Sequence, residues 1–132
     1  AAATGASVLL VMVLSAGGCS PSLKSQGRTG ITAAYRFGEL RADLPDRVRV
    51  EAVLAAAESA LISRGYSIRE RAGTADEGRV VAEGPTQRGV SAVRVSAYVT
   101  GVGTRVAVFV GPLGDEDASR AILDAVLARM GV

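Results

Sequence analysis

Val90-Ser91-Ala92-Val93-Arg94-Val95-Ser96-Ala97-Tyr98-Val99 runs through Thr100-Gly101-Val102-Gly103-Thr104 into Arg105-Val106-Ala107-Val108-Phe109-Val110. Val93, Val95, Ala97 and Val99 alternate with Arg94, Ser96 and Tyr98; Val106, Val108 and Val110 alternate with Arg105, Ala107 and Phe109. A period of two places one set on an apolar face and the other on a wet face, the pattern of a half-buried antiparallel sheet. The glycines between the runs predict a hairpin turn. A phosphate-cradling loop would instead lead into a helix, whose N-terminus supplies the field for the anion; here a strand follows.

Working outward, residues 66–71 and 79–83 also read as strands, with a turn over 73–78 and a stop at Gly84-Pro85. Ser67, Arg69 and Arg71 are expected on one side of the first, Tyr66 and Ile68 on the other. Before them, Val50, Val53, Leu54, Ala57 and Leu61 share one helical face, with Gly65 as the stop. Asp43-Leu44-Pro45-Asp46 reads as the start of that helix, with Asp43 as the cap. Residues 35–42 read as the first strand, bulged at Gly38. At the other end, Ser119, Ile122, Leu123, Val126, Leu127 and Met130 form a second amphipathic helix opened by Gly114-Asp115-Glu116-Asp117. The predicted order is strand, helix, four-strand meander, helix. It implies an α+β two-layer sandwich, with a mainly antiparallel sheet and both helices on one face.

Hydrophobic residues make up 48% of the 132, charged residues 21%, which is a globular balance and not a disordered one. His and Trp are absent, and there is one cysteine, Cys19, and one lysine, Lys24. Those absences exclude His-based triads, His metal sites, an intrachain disulfide and multi-cysteine zinc clusters. A formal charge of +2 is too mild to point to nucleic acid. A serine nucleophile would need a Ser–Lys pair, and Lys24 lies far from the patterned region. Acid pairs of the glycosidase kind are numerous enough by count, but five aromatics without Trp offer little for a sugar cleft. The domain is read as non-catalytic, with no cofactor.

Residues 8–14 are an unbroken apolar run, followed by Ser15, Ala16, Gly17 and Gly18 and then Cys19. The run is too short for a membrane-spanning helix, which needs about 20 apolar residues, and reads as a signal peptide. Residues 1–18 carry no positive charge and do not begin with Met, so the signal is expected to be N-terminally incomplete. Ala16-Gly17-Gly18-Cys19 resembles the lipobox of bacterial lipoproteins, which implies that Cys19 becomes the lipidated N-terminus and a membrane anchor. In such proteins Asp after the cysteine favours inner-membrane retention. Ser20 stands there instead, which implies the outer membrane on its periplasmic side. Residues 19–34, rich in Ser, Gly, Pro and Gln, read as a flexible tether, leaving 35–132 as a single domain.

Tyr35-Arg36-Phe37-Gly38-Glu39-Leu40, the helix ending at Gly65, Gly103-Thr104-x-Val106 and Gly114-Asp115-Glu116-x-x-Ser119 together resemble a family of small bacterial lipoproteins of unknown function. The resemblance runs over nearly the whole chain and brings no activity, substrate or catalytic residue with it.

Two groups of residues compete for a role. Asp115, Glu116 and Asp117 are clustered carboxylates, but they lack the alternation of a calcium loop; Asp115 is read as a helix cap with two acids on the helix dipole, and no metal is assigned. The wet face of the meander gathers Arg94, Tyr98, Arg105 and Phe109. Arg69, Arg71 and Arg79 join it if the earlier strands pair in the same sense, with Glu83 as the main opposing charge. Arginine pairs with carboxylate or phosphate and stacks on rings, so such a face suits an envelope protein or an anionic envelope polymer. The expected function is a lipid-anchored interaction module. The alternative is a small-ligand binder with a pocket between helices and sheet, and a plain structural spacer is a third reading.

Overall fold

Valine-rich alternation and two apolar helical stripes produce a mixed α+β fold, with a seven-stranded antiparallel sheet and two helices among the described residues. The computed structural model describes residues 20–45, 47–84 and 92–132. The elements are β1 (Ser22–Gln26), β2 (Ile31–Arg36), β3 (Glu39–Leu44), α1 (Val50–Ser63), β4 (Ser67–Gly73), β5 (Glu77–Glu83), β6 (Ala92–Thr100), β7 (Gly103–Val110) and α2 (Glu116–Met130). The strands lie in the order β1-β2-β3-β7-β6-β5-β4, so two meanders meet where β3 pairs with β7.

The beginning of the chain departs from the sequence expectation. Much of the stretch read as a tether over 19–34 is a β-hairpin: Ser22 pairs with Tyr35 and Gln26 with Ile31. Edge strand β1 is polar because most of its side chains remain exposed and its backbone supplies the pairing. The strand read over 35–42 is the end of β2, a turn at Phe37-Gly38, and β3. Both turn residues have positive φ, 53° for Phe37 and 80° for Gly38, as a two-residue hairpin turn of the right twist requires. The expected helix start at Asp43 is also displaced. Leu40, Ala42 and Leu44 alternate inward and carry β3 through Asp43; α1 begins at Val50 after Arg49, which makes no side-chain cap. Asp46 and Cys19 lie outside the described residues.

The core is one cluster. Leu40, Ala42, Val80, Ala82, Val93, Val95, Ala97, Val106, Val108 and Val110 share it with Val53, Leu54, Ala57 and Leu61 of α1 and Ile122, Leu123, Val126 and Leu127 of α2. The helices contact each other; α1 lies against β4, β5 and β6, and α2 against β1, β3 and β7. Small residues let α1 come close. A Cβ at Gly73 or Gly78, which face each other across β4 and β5, would stand 2.7 or 2.5 Å from Leu54 Cδ1. These two positions are glycine because leucine occupies the space above them.

The hairpin at the start is fixed by a buried polar cluster. Arg120, 7% exposed, donates from Nη1 to Gln26 Oε1 (3.0 Å) and from Nη2 to the Ser22 carbonyl (2.8 Å). Its Nε donates to Glu116 Oε2 at 2.9 Å. Gln26 in turn donates to Asp124 Oδ1 (2.6 Å), which also accepts from the Gly27 N–H (3.0 Å). A guanidinium spreads five donors over several acceptors and so anchors an edge strand that has little apolar surface of its own.

Candidate functional site

The turn between β6 and β7 has two residues, with Thr100 opposite Gly103. Directly opposed residues of an antiparallel pair point the same way, so Arg94 and Tyr98 share a face with Phe109 and Arg105. The next strands extend that face. One row runs Asp43, Arg105, Tyr98, Glu77; a second runs Arg41, Ala107, Ser96, Arg79; a third runs Glu39, Phe109, Arg94, Val81, Glu70.

Arg71 does not belong to this face. The register of β4 shifts between Ile68 and Glu70, a bulge centred on Arg69 that places two consecutive residues on the outward side. Arg69 therefore reaches Glu83 on the outward side (2.9 Å), whereas Arg71 sits opposite buried Val80 and turns to α1. There it pairs with Glu51 and lies 3.9 Å from Glu58. A simple alternation through residues 67, 69 and 71 contains no sign of the extra residue.

The face is charge-balanced, in contrast to the expected arginine surface opposed mainly by Glu83. Arg105 donates to both oxygens of Asp43 (2.7 and 3.3 Å) and Arg79 to both of Glu70 (2.9 and 3.1 Å). Arg41 meets Glu39 at 2.6 Å. Arg79 holds the Glu70 carboxyl below its ordinary value, chiefly by hydrogen bonding and then by charge. These pairs are largely solvated, so they fix the charge pattern of the face and add little to stability. Arg94 makes no ion pair among the described residues and stacks over the Phe109 ring, 5.2 Å from its centroid. Beside it, Arg79, Ser96, Tyr98, Ala72 and Glu77 line an open depression of about 530 Å³ near the β4–β5 turn.

The acidic run before α2 is divided among separate tasks. Asp115 is the N-cap, its Oδ1 accepting from the Ala118 N–H at 3.0 Å. Glu116 turns to Arg120, and Asp117 is exposed. The Ser22 hydroxyl, and then Arg120, hold the Glu116 carboxyl below its ordinary value.

Sequence reasoning missed the tip formed by two turns. Phe37 is 79% exposed and Leu113 is 89% exposed. The turns that carry them touch: a Cβ on Gly114 would stand 2.6 Å from Gly38 Cα, and one on Gly38 would stand 3.3 Å from the Leu113 carbonyl oxygen. A phenylalanine held at positive φ costs on the order of 1–3 kcal/mol, and here its ring gains little burial in return. The only signal in the sequence is a bulky residue at a turn position that favours Asn or Gly.

Among the described residues no helix is long and apolar enough to cross a membrane. Comparison with curated proteins finds no match. A family model described as "Protein of unknown function (DUF3568)" matches residues 3–129, nearly the whole chain, and the protein belongs to that family.

Proposed function

We propose that this protein is a lipid-anchored, non-catalytic interaction module of the bacterial cell envelope, attached through Cys19 and facing the periplasm from the outer membrane. The lipobox-like Ala16-Gly17-Gly18-Cys19 and the residue after it, Ser20, support the anchor and the address. The fold is read as a two-layer sandwich with both helices on one face of the sheet, which leaves the other face for a partner. Helix–helix contact and the single shared core support that reading.

The observation that carries the interaction role is the outward face that holds the Arg94–Phe109 pair and Tyr98, beside the depression lined by Arg79 and Glu77. Half-buried rings on an outward face, with an arginine that has no carboxylate partner among the described residues, are the kind of anchors that dominate protein interfaces. The alternating Asp43, Glu39 and Glu70 charges suit a folded protein that meets fixed positions better than a uniform polyanion. A ligand pocket between helix and sheet has less support, because Leu54 fills the space over Gly73 and Gly78.

The test is a photo-crosslinking residue at position 98 in envelopes, with position 128 on the exposed side of α2 as control. Arg94→Glu is the cleaner accompanying variant, because reversing Arg105 would also break its bond to Asp43. A defined adduct at position 98 that is lost in Arg94→Glu is expected. The same adduct from position 128, or an adduct indifferent to Arg94→Glu, defeats the sheet face as the site.

A further inference from the structure

We infer that the Phe37–Leu113 tip is a membrane-contact element that seats in the surface of the bilayer holding the anchor. This rests on the lipid anchor at Cys19 proposed above.

The first support is the length of chain available. Only Ser20 and Pro21 separate Cys19 from β1, and three residues from Cys19 to Ser22 span at most about 11 Å. Ser22 pairs with Tyr35, two residues before Phe37, and Ser20, Ser22 and Phe37 line one shallow depression. The strand cannot pay out as slack, because Arg120 holds the Ser22 carbonyl and Gln26. A lipid on Cys19 therefore brings this end of the sheet, and no other, against the membrane.

The second support is what that end displays. Phe37 and Leu113 are the two most exposed large apolar side chains among the described residues, and their turns are locked together at Gly38 and Gly114. Phe37 sits in the left-handed region with no protein core to reward it. Strain that local packing does not repay points to a use outside the domain. Arg36 lies over the Phe37 ring, 4.9 Å from its centroid, and can keep its charge among headgroups while the ring enters the interface. The acidic first turn of α2 follows directly, which confines contact to the two turn tips.

The experiment uses the lipidated full-length chain in vesicles of phosphatidylethanolamine and phosphatidylglycerol. With lipid on the Cys19 sulfur, a thiol introduced as Phe37→Cys, Leu113→Cys or Val102→Cys is the one available to an environment-sensitive fluorophore. Val102, 75% exposed, stands in the two-residue turn between β6 and β7, at the opposite end of the sheet. Labels at 37 and 113 are expected to shift to the blue and to be quenched by lipids carrying a quencher in the upper acyl chain. The label at 102 should do neither.

Intact-mass analysis of the same samples separates the two readings. Acylated Cys19 with all three labels equally water-exposed overturns the tip and leaves the anchor standing. An unmodified Cys19 overturns both. Melting curves of the labelled chains verify that each variant is folded.

Discussion

Arg120 and Gln26, 94 residues apart, exchange hydrogen bonds: Arg120 Nη1 donates to Gln26 Oε1 at 3.0 Å, and Gln26 Nε2 donates to the Arg120 carbonyl at 3.1 Å. The link joins the first strand to the last helix inside a nearly dry site, where an unpaired partner is costly.

Arg120→Ala should therefore lower stability by roughly 3 kcal/mol, toward the lower end for a broken buried pair because Glu116 keeps some solvent. Lysine lacks the forked donors and should restore little. Urea melts give the total, and hydrogen exchange should show residues 22–26 losing protection before the meander. Uniform loss of protection would mean that the cluster is not a local clamp.

Asp115→Ala should cost about 0.5–2 kcal/mol and Asp115→Asn much less, since Asn also accepts from the Ala118 N–H. Thermal melts of the two variants decide it. Equal losses from both, with chelator shifting the wild-type melt, would assign Asp115 to a metal.

The Ser119 hydroxyl is buried and has no hydrogen-bond partner among the described residues. Its removal takes away an unrewarded desolvation, so Ser119→Ala should be neutral or stabilising by up to about 1 kcal/mol. A clear loss in the denaturation midpoint would show that the hydroxyl is bonded in solution.

Gly78→Ala should destabilise by about 1–3 kcal/mol, and Gly73→Ala by less. At Gly78 the new methyl meets the Ala72 carbonyl oxygen and Gly73 Cα, both at 2.8 Å, and neither can swing away. At Gly73 the nearest atom is the mobile end of Leu54. Combining each with Leu54→Ala sorts the two: truncating Leu54 should remove most of the cost at 73 but only part of it at 78, where the backbone contacts stay behind.

Acid should weaken the fold through Glu70 and Glu116. Both are held below the ordinary value of 4.5, so their contribution is full above that value and is lost as pH falls through the depressed folded values. Stability from urea melts should be level near neutrality and should decline below about pH 4.5. The double variant Glu70→Gln, Glu116→Gln should flatten that decline; an unchanged slope would place the acid sensitivity elsewhere.

The strands and helices with a buried apolar face could be read from sequence. Val93, Val95, Ala97, Val106 and Val108 announce β6 and β7, and Val50, Val53, Leu54, Ala57 and Leu61 announce α1. The elements missed are held by other forces. In β1 the one buried side chain is Gln26, stabilised by groups about a hundred residues away, so hydropathy finds nothing there. Arg69 adds one residue to β4, and period-two counting then assigns Arg71 to the wrong side. Of the outward face, Arg94, Tyr98, Arg105 and Phe109 were legible because one hairpin carries them all. Their neutralisation was not, since Asp43 and Glu70 come from strands whose placement depends on the β3–β7 pairing and on that bulge.

That pairing has a consequence for how the chain is made. One edge of β3 is taken by β2 directly before it, but on the other edge Glu39 through Leu44 wait for Thr104 through Phe109, roughly 60–70 residues further along the chain. As the chain emerges N-terminus first, β3 keeps one open hydrogen-bonding edge until β7 has followed, and closing so long a loop is slow. Under the export proposed above, that delay suits passage as an extended thread: the sheet cannot be joined into one piece before residues 104–109 have followed.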